Sequence, residues 1–349
     1  MNSRRRVNFS TVIPLRLLKV AAFVVLSLNR ISRVAIVRNM MPRLAGLSLV
    51  LCIVAPFGLS SAGAQTPCRS TVIGDLHVDQ FASQTYQRQQ TVRVWVPPGY
   101  GDASNADRKY KVLYLLDGQT AFDECTAFRG EHELQVDETV TRLIAEHRIV
   151  PIIVVGIDSY ERRSYEYLPY KDVLGNGGGP EPIGTKLPDF LVTEVLPYVA
   201  AHYRVATEPG NVAIGGTSNG GIAAAYTLLH RPDRFRLGLI ESPTLPDGNG
   251  ALLRETEFLG RGPDRVYVGV GTTELAVPGG DKFAAQLGLT LEGANAGFAK
   301  MSETLATNLR SAFLNHPEVQ LVVEPNGTHT STSWARRFPR AIQFLFGAP

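Results

Sequence analysis

Residues 213–226, "AIGGTSNGGIAAAY", set four glycines around Ser218. An ordered glycine costs backbone entropy, so a cluster of four needs a conformational reason. Upstream, "GNVAIGG" is a short apolar run that reads as a buried strand. Downstream, "GGIAAAYTLLHRPDRF" is rich in helix formers and stops at Arg231-Pro232. Ser218 therefore falls on a strand-to-helix turn. Gly216-Thr217-Ser218-Asn219-Gly220 has the spacing G-x-S-x-G of a nucleophile elbow. Such a turn holds the serine in a strained conformation, and side chains two before and two after it would collide. It presents the hydroxyl at the carboxyl edge of a sheet, beside a helix N-terminus that favours negative charge.

The rest of the chain supplies the sheet. "TVIGDLHVDQF" and "QQTVRVWVPPGY" alternate as two hairpin-like edge strands. "KYKVLYLLDGQ", "RIVPIIVVGID", "FRLGLIESP", "DRVYVGVGTTE" and "EVQLVVEP" read as further strands, and the segment before Ser218 as another. Between them "HELQVDETVTRLIAEH", "LPDFLVTEVLPYVAAHY", "FAKMSETLATNLRSAFL" and "TSWARRFPRAIQFLF" have helical character. Strands alternating with helices predict an α/β fold, a mostly parallel central sheet covered by helices on both faces. Residues 158–186, with four tyrosines and "GNGGG", break the alternation and read as a lid or pocket wall.

Of the 349 residues, 1–64 form an N-terminal targeting region: nine Lys/Arg, no Asp or Glu, and apolar stretches at 11–29 and 44–60. Met40 or Met41 is the natural start of a secretory signal spanning 40–64, cleaved after Ala62-Gly63-Ala64. The formal charge of the whole chain is +3; without 1–64, 26 basic residues face 32 acidic ones, a net −6. Nothing in residues 65–349 suggests a nucleic-acid footprint. That remainder suits one catalytic α/β domain, periplasmic or secreted. Cys68 and Cys125 are its two cysteines, and an oxidising compartment allows them to pair. Neither CxxC nor HExxH occurs, so no metal or cofactor is implied.

A serine nucleophile needs a base, and a base that turns with the right tautomer needs an acid. In the chain order Ser, acid, His, the base follows the last strand. His329, in "VVEPNGTHTSTSW", occupies that position. The acid leaves the preceding strand: Glu274 at the end of "VYVGVGTTE", with Asp281 in the same connection as the alternative. Backbone N–H groups of Asn219, directly after the nucleophile, and Gln119, in "LLDGQTAF", are placed to receive an oxyanion.

The segments "VLYLLDGQTAF", "FLVTEVLPYVAAHYRV", "GGTSNGG", "HRPDRF", "GVGTTE" and "GTHTSTSW" occur in an order and spacing that resemble the esterase D-like family of α/β-hydrolases. That family includes feruloyl esterases, siderophore esterases, S-formylglutathione hydrolases and mycolyltransferases. The resemblance covers roughly residues 70–347. It implies an α/β-hydrolase fold and a serine esterase acting on a small-molecule ester. It assigns Asp117-Gly118-Gln119 to the oxyanion loop, Ser218 to the nucleophile, Glu274 to the acid and His329 to the base. "RRSYEYLPY" is similar to the family's R-x-x-E-Y-x-P segment, with Arg163 and Glu166 at the matching positions. Many members carry Asp where Glu274 stands, and some work with a Ser–His dyad, so both remain open for the acid. Two other activities are compatible with the motifs: acyl transfer from the same acyl-enzyme, and non-catalytic binding on a hydrolase scaffold.

Overall fold

The computed structural model describes residues 68–128, 131–171, 181–257, 260 and 262–348. The targeting region 1–64 and the "GNGGG" run lie outside the described residues. Eight strands form one sheet: β1 (Asp75–Ser83), β2 (Arg88–Val96), β3 (Lys111–Leu116), β4 (Ile152–Ile157), β5 (Val212–Thr217), β6 (Leu237–Glu241), β7 (Arg265–Gly271) and β8 (Glu318–Glu324). Their order is β1-β2-β4-β3-β5-β6-β7-β8. β1 and β2 pair antiparallel, β2 runs antiparallel to β4, and the remaining pairs are parallel. This is the α/β-hydrolase fold. Each of the eight segments read as a strand from the sequence forms one.

Parallel pairing requires crossovers, and the helices that provide them cover both faces. On one face α5 (Asn219–His230) and α8 (Leu291–Ala312) bury Ile222, Leu228, Leu305 and Leu309 against Val112, Tyr114, Ile214 and Val268. On the other, α1 (Val136–Ala145) and α9 (Ser331–Phe346) bury Val140, Leu143, Phe338 and Ile342 against Leu113, Leu115, Ile152 and Val154. Val112/Tyr114 and Leu113/Leu115 thus point to opposite cores, as a period of two requires. Among the described residues, no helix is long and apolar enough to cross a membrane.

Three short helices depart from the sequence reading. α2 (Arg163–Tyr167) lies inside the segment read as irregular. α6 (Asp247–Glu255) contains three positive-φ residues, Gly248, Asn249 and Gly250, which hide any helical period. α7 (Gly280–Gln286) takes Asp281 out of the connecting loop and into its first turn. The long helix read before β5 is also not uniform. α3 (Leu187–Phe190) passes through a π turn, Leu191–Val195, into α4 (Leu196–His202). Pro197, which has no N–H to donate, sits in the first turn of α4, so the widened turn just ahead of it is where the ladder can open.

The first described residue is tied down. Cys68 and Cys125 are joined by a disulfide, with Cα atoms 5.6 Å apart. Beside it the Ser70 hydroxyl and Thr71 N–H donate to Asp123 at 2.9 and 3.3 Å.

Candidate active site

The carboxyl ends of β3, β5, β6 and β7 converge on one edge of the sheet, and the candidate site lies there. At the end of β5, Ser218 has φ 57° and ψ −124°, a conformation that β-branched or bulky residues avoid. Its surroundings over-determine it. Its N–H donates to the Glu241 carbonyl at 3.0 Å, and its own carbonyl accepts from Gly221, Ile222 and Thr244 N–H. The turn is so tight that a Cβ on Gly216 would lie 2.3 Å from the Gly220 carbonyl oxygen. Glycine at 216 is therefore a steric requirement of the turn, while a Cβ on Gly220 would press on the Asp117 carboxylate at 3.0 Å.

His329 comes from the β8–α9 connection. Its Nε2 lies 2.8 Å from Ser218 Oγ, and its Nδ1 lies 2.7 Å from Glu274 Oε2. The ring is held at right angles to Trp334, with centroids 5.2 Å apart, and edge-on to Phe298. The backbone closes the same contact: His329 N–H donates to the Glu274 carbonyl, and Thr273 N–H to the Gly327 carbonyl, both at 3.0 Å. The structure thus brings Ser218, His329 and Glu274 into one chain of hydrogen bonds. Asp281 is not part of it. It is exposed at the start of α7, with no hydrogen bond to His329.

Glu274 is fully buried. Burial pushes its carboxyl pKa up, but the His329 ring, the Gly271 N–H and the Ser242 hydroxyl outweigh that and hold it below the ordinary value. Gly271 N–H and Ser242 Oγ–H donate to Oε1 at 2.5 and 2.7 Å. Ser242 has one proton to give and its direction is forced. Its oxygen already accepts from Trp334 Nε1 at 2.9 Å and from an Arg337 nitrogen at 3.1 Å. Arg337 itself is buried between Glu241 and Glu324, at 2.7 and 2.6 Å. Sequence reasoning missed Ser242, Trp334 and Arg337. The only signals were the serine at the end of β6, in line with Glu274 across the sheet, and the i, i+3 pair Trp334 and Arg337 on the closing helix.

The two N–H groups read as oxyanion donors face the same edge. Neither Gln119 N–H nor Asn219 N–H has a protein partner among the described residues. Both residues are fixed by their side chains. The Gln119 amide donates to Ser159 Oγ at 2.8 Å and accepts from Ser159 N–H at 3.0 Å. The Asn219 amide donates to Ser164 Oγ and accepts from Thr244 Oγ1. Gly118 lets the loop cross β4, since a Cβ there would meet the Gly156 carbonyl carbon at 2.4 Å. Asp117, at φ 64°, is clamped by Arg163 Nε and Nη2, each at 2.7 Å, and its N–H donates to the Tyr167 hydroxyl. Glu166 is paired in turn with Arg88, at 2.5 and 2.8 Å. Residues 158–168 are thus pinned against β2 and the Gln119 loop, and form a wall beside Ser218.

Fold and site together define an α/β-hydrolase with a serine at its elbow. Residues 83–345 match the family described as Putative esterase, and the chain belongs to that family. An endo-1,4-beta-xylanase/feruloyl esterase from Xylanibacter ruminicola is 26% identical over 163 residues, covering 46% of this chain and 20% of that protein. A siderophore enterobactin esterase from Emericella nidulans is 29% identical over 164 residues, covering 44% of this chain and 52% of that protein. The matches therefore span a fifth and about half of these relatives' lengths. Among solved structures, a siderophore hydrolase from Aspergillus nidulans superposes with a TM-score of 0.58 at 19% identity, covering 78% of this chain and 95% of that one.

Proposed function

We propose that this protein is a secreted or periplasmic serine esterase that hydrolyses carboxylic esters through an acyl-enzyme. The observation that carries the reading is the continuous relay Ser218 Oγ–His329 Nε2–Glu274 at 2.8 and 2.7 Å. Ser218 Oγ attacks the ester carbonyl carbon while its proton passes to Nε2. The carbonyl oxygen becomes an oxyanion and is received by the Gln119 and Asn219 N–H groups, which point at developing charge without having to reorganise. Collapse breaks the bond to the alcohol oxygen, and the imidazolium returns the proton to that leaving group. Water then gives a proton to His329, attacks the acyl carbon and frees the carboxylic acid and Ser218 Oγ–H. Glu274 keeps Nδ1 protonated throughout, and its charge stabilises the imidazolium.

The names of the relatives point to feruloyl and enterobactin esters as the first substrates to try. The test is a panel of p-nitrophenyl, feruloyl and catechol-siderophore esters, assayed with the parent protein and Ser218→Ala. The variant should keep its circular dichroism, lose fluorophosphonate labelling and fall in kcat by roughly 10⁴ or more. A folded Ser218→Ala protein with near-parental turnover would remove Ser218 as nucleophile.

A further inference from the structure

Most buried carboxylates here meet a cation. Asp117 meets Arg163, Glu166 meets Arg88, Glu241 meets Arg337 and Glu274 meets His329. Glu133, Asp137 and Glu138 do not. Glu133 is 5% exposed, Asp137 is 0% exposed and Glu138 is half-buried. Among the described residues none of the three forms an ion pair. The nearby basic groups are used elsewhere, His132 on Glu124 and Arg142 on Glu146. One carboxylate oxygen of each, Glu133 Oε2, Asp137 Oδ1 and Glu138 Oε2, is buried with no hydrogen-bond partner.

Three carboxylates crowded out of water repel one another, and each lacks the pairing that offsets its desolvation. The N-terminus of α1 offsets part of this for Asp137 and Glu138. It does nothing for the orphaned oxygens. Donor atoms of the three residues lie within 4.8 Å of one another. Oxygens that close can share one cation through bonds of about 2.3–2.6 Å, and three protein carboxylates suit calcium, whereas magnesium keeps several waters and takes only one or two carboxylates. The geometry points to a calcium-binding site formed by Glu133, Asp137 and Glu138, with water completing the shell on the half-exposed side of Glu138.

The site would be structural rather than chemical. Asp137 Oδ2 accepts the Ile73 N–H at 2.7 Å, which ties the cluster to the strap that begins at the Cys68–Cys125 disulfide. Glu131, two residues before Glu133, accepts the Ser331 N–H and O–H at 3.2 and 2.8 Å, where the His329 loop enters α9. A calcium ion at Glu133 therefore braces both the N-terminal strap and the loop that carries the candidate base. The competing occupant is a proton, since burial and the Glu138 carboxyl beside it push the Asp137 carboxyl up to about 8.

The test uses the disulfide-intact full chain, stripped with EDTA and dialysed. Equilibrium dialysis against ⁴⁵Ca²⁺ should find one ion per chain. Calcium at a hundredfold excess over its Kd should raise Tm by about 5 °C, and magnesium at the same concentration by much less. Glu138→Gln and Asp137→Asn should each abolish both the binding and the Tm response. Because Glu138 is half-exposed, its variant should fold even if the Asp137 variant does not. No bound calcium in the parent, or binding that survives Glu138→Gln, would overturn the site. Neither readout involves ester hydrolysis, so the result stands apart from the proposed activity.

Discussion

Replacing Glu274 by glutamine preserves shape and changes a carboxylate oxygen into an NH₂, and the hydrogen bonds around it dictate where that NH₂ goes. Oε1 accepts from the Gly271 N–H at 2.5 Å, a donor that cannot rotate away. The amide nitrogen is therefore driven to the Oε2 position, 2.7 Å from His329 Nδ1. There it donates, so Nδ1 must accept and the ring proton moves to Nε2. Nε2 then faces Ser218 Oγ with a proton in place of a lone pair and cannot act as base. Locking the wrong tautomer in this way costs about 10⁴ in kcat, or about 5 kcal/mol of barrier. KM should scarcely change, because the lost interaction is made mainly in the transition state. Steady-state hydrolysis of p-nitrophenyl acetate reads both constants. Asp281→Asn, on the exposed first turn of α7, serves as the control and should stay within about twofold of the parent. A second readout follows from the depressed carboxyl of Glu274. A carboxylate with a folded pKa below its unfolded value contributes stability that is fully present above about pH 4.3 and is lost as pH falls through the folded value. The stability gap between parent and Glu274→Gln should therefore narrow on acidification below about pH 4. A Glu274→Gln enzyme within tenfold of parental kcat would refute the tautomer argument and leave a Ser218–His329 dyad.

Ser242→Ala removes the only side-chain hydroxyl on Glu274 among the described residues and strands donors on Trp334 and Arg337. It should lower kcat at least tenfold with KM preserved and cost about 1–3 kcal/mol for each stranded donor, read by urea unfolding. An unchanged kcat would show that Gly271 alone fixes the acid. Gly216→Ala puts a methyl within 2.4 Å of Gly220 backbone atoms. Its expected cost is about 2–3 kcal/mol together with loss of fluorophosphonate labelling, and a fully labelled, equally stable variant would contradict the steric account of the elbow. The Cys68–Cys125 bridge spans a sequence separation of 57. The chain-entropy argument gives it about 4 kcal/mol. Thiol titration of denatured, unreduced protein should find neither cysteine free, and Cys125→Ser should lower Tm.

What could be read from the sequence was what depends on neighbours along the chain. The central strands were legible because parallel strands buried on both faces are continuous apolar runs, as in "VLYLL" and "IIVVGI", and β1 and β2 because an edge hairpin alternates. Ser218 and Gly216 were legible because one turn fixes their spacing. Hidden were the features that depend on sequence-distant partners. Glu274 could be preferred to Asp281 only for lying nearer the strand end; that its carboxylate is buried and that of Asp281 exposed depends on the Gly271 turn and the His329 loop. Arg163 meets Asp117 46 residues away, and Arg337 meets Ser242 95 residues away. Residues 158–168 looked irregular because tyrosines and arginines there pair outward to β2 and the Gln119 loop, with no apolar period of their own. The kinked α6 was missed for a local reason, its run of positive-φ residues.

The acid's surroundings also explain a glycine that has no turn to make. Gly269 lies in the middle of β7, opposite Glu241 in the parallel register, where a side chain would normally add packing. A Cβ there would fall 2.4 Å from Glu241 Oε2. The missing side chain is the space the Glu241 carboxylate uses to reach Arg337. Arg337 needs that carboxylate, because a buried guanidinium without its partner leaves an uncompensated charge. With Arg337 fixed, its nitrogen and the Trp334 N–H fill the acceptor positions of Ser242, and the Ser242 proton is left to point at Glu274. The line of dependence therefore runs from Gly269 through Glu241, Arg337 and Ser242 to the residue that orients His329. Each link is a contact between neighbouring strand ends or between the sheet edge and α9. A parallel sheet with this register is thus what allows the acid to stand just past β7 while its hydrogen bonding is set by the residue just past β6.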